Sequence, residues 1–280
     1  MAKISATDVQ ELRQKTGIGM MDCKKALTDS NGDKEKALKI LKEKGMAVAA
    51  KRADKQASEG IIHLRVTDDL QTGYMIQIGC ETDFVAKNKD FLKLAQKIGE
   101  QYVSRGESFI NSDELKTLLT EGSAVTGEKI EVAEHVTMKA EQGFISGYLH
   151  SNKKIGVLTE IKCPEAAFTN EKVIQLGKDI CMQIAAMHPL ALSPADIKEE
   201  QKEEQKQIFL KQMENSGKPP EILEKIVTGK LNKYFSEKCL LEMPFVKDTS
   251  LKIKQLVKNI TKETGFELEV KAYNRLQLGE

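Results

Sequence analysis

Residues 60–80 read GIIHLRVTDDLQTGYMIQIGC and residues 143–163 read GFISGYLHSNKKIGVLTEIKC. At a constant spacing of 83 residues Gly60 falls on Gly143, Ile62 on Ile145, Gly73 on Gly156, Ile78 on Ile161 and Cys80 on Cys163. Five identical or close pairs in one register are unlikely by chance and point to an internal repeat. In the first segment apolar residues alternate around Ile62, Leu64 and Val66 and again at Met75, Ile76 and Ile78. That is the period of strands with one buried face, so each segment predicts a β-hairpin.

An amphipathic helix follows each hairpin. Phe91, Leu94, Ile98 and Tyr102 share one helical face in the first copy, and Val173, Leu176, Ile180 and Ile184 do so in the second, now 82 residues apart. One residue is therefore missing between strand and helix in the second copy. A third strand is expected at 130–139 and again at 266–273. The predicted fold class is α+β, a duplicated core of hairpin, helix and strand, with boundaries at 56–140 and 141–280.

Outward from this core, residues 1–55 predict a compact unit of three helices. Ser5 with Asp8 forms a capping box ahead of Val9 and Leu12, and Thr16-Gly17 stops the first helix. Met20, Met21, Ala26 and Leu27 lie on the second. Asn31-Gly32-Asp33 turns the chain into a third that carries Ala37, Leu38, Ile40 and Leu41 up to Gly45. Residues 47–58, rich in Ala, Lys and Arg, read as a linker. The second copy is interrupted at 193–237 by an antiparallel helical hairpin, opened by Ser193-Pro194-x-Asp196 and turned at residues 215–220. Asp248 or Thr249 then caps a helix with Ile253, Leu256, Val257 and Ile260 that ends at Gly265.

Composition narrows the function. A chain of 280 residues has room for two or three small domains. Its 43 basic and 42 acidic residues leave a net charge of +1, so no long-range field recruits nucleic acid or an anionic membrane. Five widely spaced cysteines with no C-x-x-C pair read as reduced thiols, and no apolar stretch suits a signal or a membrane span. A cytoplasmic protein is expected. No phosphate-binding loop is present, because the Gly-Lys pairs at Gly177, Gly217 and Gly229 are followed by Asp, Pro and Leu. His63, His135, His150 and His188 are scattered, with no metal-ligand spacing. No catalytic cluster, metal site or cofactor site emerges, and a binding protein rather than an enzyme is expected.

The most specific local feature is Glu81-Thr82-Asp83-Phe84-Val85-Ala86-Lys87-Asn88, which joins the first hairpin to its helix and has no counterpart at 164–170. A loop aromatic in such a connector is a candidate for binding another protein. The alternative is that Phe84 opens the helix and packs inward, seven residues before Phe91. Met20 and Met21 leave the same choice open between contact and core.

These stretches resemble the elongation factor Ts family, the bacterial exchange factors of the GTPase elongation factor Tu. The resemblance spans essentially the whole chain. It is densest at Leu12-Arg13-x-x-Thr16-Gly17-x-Gly19-Met20-Met21-Asp22-Cys23-Lys24-Lys25-Ala26-Leu27 and at Thr82-Asp83-Phe84-Val85-Ala86-Lys87. Ile155-Gly156-Val157-Leu158, Ser216-Gly217-Lys218-Pro219 and Pro244-Phe245-Val246 agree as well. It implies a ubiquitin-associated-like N-terminal domain and a guanine-nucleotide exchange function in translation elongation, with elongation factor Tu as partner. Thr82, Asp83, Phe84 and Val85 would enter the partner's nucleotide-binding domain, dislodge its Mg²⁺ and loosen the diphosphate. Leu12, Arg13, Met20 and Met21 would touch a helix of that domain, and His150 and Ile155 the distal β-domain. Longer members carry a further C-terminal helix that has no match in this sequence, which ends at Glu280. A second reading, an RNA- or ribosome-binding protein, draws on Lys24-Lys25, Lys51-Arg52 and Lys153-Lys154, but meets the near-zero charge and the lack of interleaved aromatics.

Overall fold

The computed structural model describes residues 4–213 and 219–279, and it mixes helices with small antiparallel sheets, an α+β structure. In chain order the elements begin α1 (Ala6–Thr16), α2 (Met20–Asp29), α3 (Lys34–Lys51), β1 (Glu59–Val66), β2 (Thr72–Cys80), α4 (Asp83–Ala86), α5 (Lys89–Arg105) and α6 (Glu107–Ile110). They continue α7 (Asp113–Thr126), β3 (Glu131–Lys139), β4 (Gly143–Leu149), β5 (Ile155–Lys162), α8 (Glu171–Met187), α9 (Glu199–Met213) and α10 (Pro220–Lys238). The last are β6 (Pro244–Phe245), β7 (Asp248–Lys252), α11 (Ile253–Thr264) and β8 (Glu269–Gln277).

Local chemistry sets the first helices. The Ser5 hydroxyl accepts the Asp8 amide at the start of α1, and Gly17 ends it with left-handed backbone at φ 71°. The Asp33 carboxylate accepts the amides of Glu35 and Lys36 and so opens α3. Val9, Leu12, Cys23, Ala26, Leu27, Ala37 and Leu41 make a common core. Helix α3 does not stop at Gly45 but runs on to Lys51, so the expected linker is helical in its first part. Gly45 serves packing instead: a Cβ there would stand 2.8 Å from the Ala124 side chain of α7. Helix α7 itself is not anticipated from sequence, because Gly122 and Ser123 occupy its buried face and blur the apolar stripe.

Two three-stranded sheets follow, in the orders β1-β2-β3 and β4-β5-β8. The spacing of 83 reappears in their geometry. The Ile62 amide donates to the Lys153 carbonyl at 2.8 Å, and the Ile145 amide donates to the Leu70 carbonyl at 2.7 Å. Both accepting residues have left-handed backbone, φ 59° at Leu70 and 58° at Lys153. A register shift falls between Gln77 and Ile78 in one sheet and between Glu160 and Ile161 in the other.

The sheets pack face to face. Any side chain at Gly73 would collide with Leu158 and Ile145, and any at Gly156 would press on Ile62 and Met75. Those glycines let each sheet receive the other's large residues, and Ile62, Met75, Met138, Ile145, Leu158 and Leu276 fill the layer between. Phe91, Ile98, Tyr102, Leu115 and Leu118, from α5 and α7, cover the outer face of the first sheet. Val173, Leu176, Ile180 and Ile184 of α8, with Ile253 of α11, cover that of the second.

Three further boundaries differ from expectation. Ser193 and Asp196 form their capping box around a short 3₁₀ turn, and α9 starts only at Glu199, because Ile197 turns extended to bury itself beside Ala191, Phe235 and Cys239. Asp248 and Thr249 lie in β7, so Lys252 precedes α11 without a side-chain cap. Strand β8 begins at Glu269 rather than at 266. Helices α9 and α10 pack as a pair, with the Phe209 and Tyr234 rings 5.9 Å apart; residues 215–218 of the expected turn lie outside the described residues. Among the described residues, no helix is long and apolar enough to cross a membrane.

Candidate functional site

Beyond Cys80 the β1–β2 ladder has ended, and the chain must reach α5 through residues 81–88. Thr82 caps the single turn α4, its hydroxyl accepting the Val85 amide at 3.4 Å. The Asn88 carboxamide accepts the Asp90 amide at 2.8 Å and opens α5. Within α4 the direction of each side chain follows from helix geometry. Residues two apart differ by about 200° around the axis. Ala86 is buried and Val85 leans on the core, so Phe84 is turned outward.

Phe84 is 82% exposed, the highest value among the large apolar residues described, while Phe91 is fully buried. The inward orientation of Phe84 that the sequence left open is thereby excluded for this structure. An exposed phenyl ring on a body whose other aromatics are mostly covered is a patch that water solvates poorly.

The connector is held by two carboxylates that cross. Glu128, in the turn between α7 and β3, accepts the amides of Glu81 and Thr82 on Oε2 at 3.1 and 3.0 Å, and the Thr82 hydroxyl on Oε1 at 2.6 Å. Glu81 reaches the other way, accepting the Lys129 amide and the Arg52 Nη1 group, each at 2.7 Å. Burial raises the Glu81 carboxyl, but the Lys129 amide and the Arg52 guanidinium outweigh it and hold it below the usual carboxylate range. Asp83 stands exposed beside Lys87 at 2.6 Å. The Lys87 ammonium lowers its carboxyl, and Lys154 adds a weaker pull.

The other expected contact residues sit on separate elements. Met20 and Met21 open α2 with 51% and 74% exposure, and Arg13 is exposed on α1, so these are surface residues. Leu12 is a correction: at 3% exposure it belongs to the three-helix core, because the apolar face of α1 that carries Val9 carries it too. His150 and Ile155 flank the β4–β5 turn, closed by the His150 amide donating to the Ile155 carbonyl at 2.9 Å. Both are half-buried; the His150 Nδ1 is 2.9 Å from the Tyr148 hydroxyl, and Ile155 packs on the core under α8. Sequence reasoning missed Glu128 and Arg52, since they meet Glu81 from 47 and 29 positions away, and residues so far apart carry no mutual signal in one sequence.

Among the described residues no group of three or more His, Cys, Asp or Glu could hold a metal ion. All five cysteines are buried free thiols. Burial pushes the Cys80 thiol up to about 12, and those of Cys163, Cys181 and Cys239 up to about 11.

Comparison with known proteins adds a family to this geometry. A family model described as Elongation factor TS matches residues 81–280. The chain is 40% identical over 286 residues to Elongation factor Ts of Clostridium perfringens (strain SM101 / Type A), covering 99% of this chain and 93% of that protein. It is 41% identical over 292 residues to Elongation factor Ts of Aquifex aeolicus (strain VF5), covering 99% and 98%. Against Elongation factor Ts of Chlorobium phaeobacteroides (strain BS1) it is 37% identical with both chains fully covered.

Proposed function

The chain belongs to the elongation factor Ts family of translation elongation factors, and from that premise we propose that it is a cytoplasmic nucleotide exchange factor acting on elongation factor Tu. It catalyses no bond-making step of its own. Residues 1–55 form an N-terminal helical domain, 56–140 and 141–280 the two halves of the core, and 193–237 an inserted helical hairpin. The carrying observation is Phe84, 82% exposed on a turn clamped at both ends. Thr82, Asp83, Phe84 and Val85 present that ring to the partner's nucleotide-binding domain, dislodge Mg²⁺ and promote GDP release. Arg13, Met20 and Met21 make a second contact, and the β4–β5 turn with His150 and Ile155 a third.

Magnitudes require this division of labour. Burying one Phe contributes about 1.5–3 kcal/mol, whereas weakening a nucleotide a thousandfold takes about 4 kcal/mol of coupling. The rest comes from the loss of Mg²⁺, which neutralises the phosphates, and from the flanking contacts that hold the wedge in place. Coupling is reciprocal, so nucleotide that rebinds expels the exchange factor.

The test is stopped-flow release of a fluorescent GDP from elongation factor Tu. Substoichiometric amounts of this protein are expected to accelerate release with multiple turnovers. Release at the intrinsic rate at every concentration would refute the reading.

A further inference from the structure

We propose that Glu128 is the positioning residue of the exchange connector, acting on Phe84 through the Thr82 hydroxyl. The inference rests on the reading of Phe84 as the wedge. An isolated helical turn such as α4 is disfavoured by about a thousandfold at nucleation, so something outside it must hold it. Past Cys80 the amides of Glu81 and Thr82 have no ladder partner, and one carboxylate takes both. Bonds to a charged acceptor are roughly twice as strong as neutral ones.

The third bond has the larger consequence. The Thr82 hydroxyl has a single proton, and donating it to Glu128 Oε1 at 2.6 Å leaves its lone pairs for the Val85 amide. Glu128 therefore locks the hydroxyl in the accepting role that the cap of α4 needs. Without it the hydroxyl rotates, the turn frays and the ring samples other directions.

The second half of the core is an internal control. Strands β3 and β8 correspond at a spacing of 138, since Val132 pairs with Ile78 where Val270 pairs with Ile161. That spacing places Phe266 where Glu128 stands, and Phe266 packs against the core. Its neighbouring connector holds a 3₁₀ turn, Glu165–Ala167, with Ala167 buried. The carboxylate occurs in the half whose connector carries the exposed ring.

A ring that is correctly aimed only part of the time lowers the maximal rate by that fraction and leaves the encounter surfaces intact. Stopped-flow GDP release from elongation factor Tu, run to saturation in this protein, separates the two quantities. Glu128→Ala and Thr82→Val are each expected to lower the maximal rate at least fivefold with the half-saturating concentration within twofold, and Thr82→Ser, which keeps the hydroxyl, to lose less of the rate than Thr82→Val. The double variant Glu128→Ala/Phe84→Ala is expected to be no slower than Phe84→Ala, since Glu128 acts through the ring. A wild-type rate for Phe84→Ala would remove the wedge reading itself. A slow Phe84→Ala beside fast Glu128→Ala and Thr82→Val, or a double variant whose losses multiply, would overturn the positioning role alone. Thr82→Val removes a single hydroxyl, so it carries the test if Glu128→Ala fails to fold.

Discussion

Two phenylalanines seven residues apart should respond oppositely to the same truncation. Phe84 is 82% exposed and Phe91 is fully buried among Ile78, Ile98 and Leu118. Cutting Phe84 to Ala removes almost no buried surface from the free protein, so its unfolding midpoint should stay within about 1 °C of wild type. Against the partner proposed above, the same ring would have most of its area left to bury. Scaling about 1.5–3 kcal/mol for a whole side chain by the exposed fraction leaves about 1.2–2.5 kcal/mol, or roughly 8- to 70-fold in the rate of nucleotide release. Phe91→Ala should do the reverse, costing about 3–5 kcal/mol of stability through the cavity it leaves. Paired thermal melts and stopped-flow traces of the two variants decide the matter. Exchange at the wild-type rate by Phe84→Ala, or a melt lowered as far as that of Phe91→Ala, would refute the division between a working ring and a core ring.

The backbone makes an equally local demand at Gly60, whose φ of 138° is open only to glycine and whose added Cβ would lie 2.1 Å from the Ile78 carbonyl; Gly60→Ala should lose at least about 2 kcal/mol in urea melts. The five buried thiols should react with a chromogenic disulfide reagent at least about tenfold more slowly in the native protein than in denaturant, since the fold shields them from the reagent and, at Cys80, Cys163, Cys181 and Cys239, burial also raises the thiol and leaves little thiolate. His63 presses its ring on Gly99 of α5, and burial lowers its pKa below the ordinary 6.5. The unfolded chain then binds a proton that the folded one refuses as pH falls from 6.5, so stability should fall in that window. Replacing it as His63→Gln should flatten that slope in denaturant melts at pH 7 to 5; an unchanged slope would assign the effect elsewhere.

What could be read from the chain beforehand follows the range of the forces involved. Strands β1, β2, β4 and β5 were legible because alternation is a local pattern written twice, and α1 because Ser5 and Gly17 mark its ends. Helix α7 was hidden because it buries Gly122 and Ser123, residues chosen for close approach to Leu94 and Ile130 rather than for apolar area. The candidate site divides along the same line. Phe84 stood out as an aromatic in a connector, yet its direction depends on Glu128, which lies far along the chain. A periodic stripe reports burial against a whole layer, and a sum over many residues survives small errors. A clamp of three hydrogen bonds reports one carboxylate meeting one turn, and only the packing of α7 beside α5 brings them together. The exposed ring is thus readable from its type, and the residue that holds its turn only from the fold.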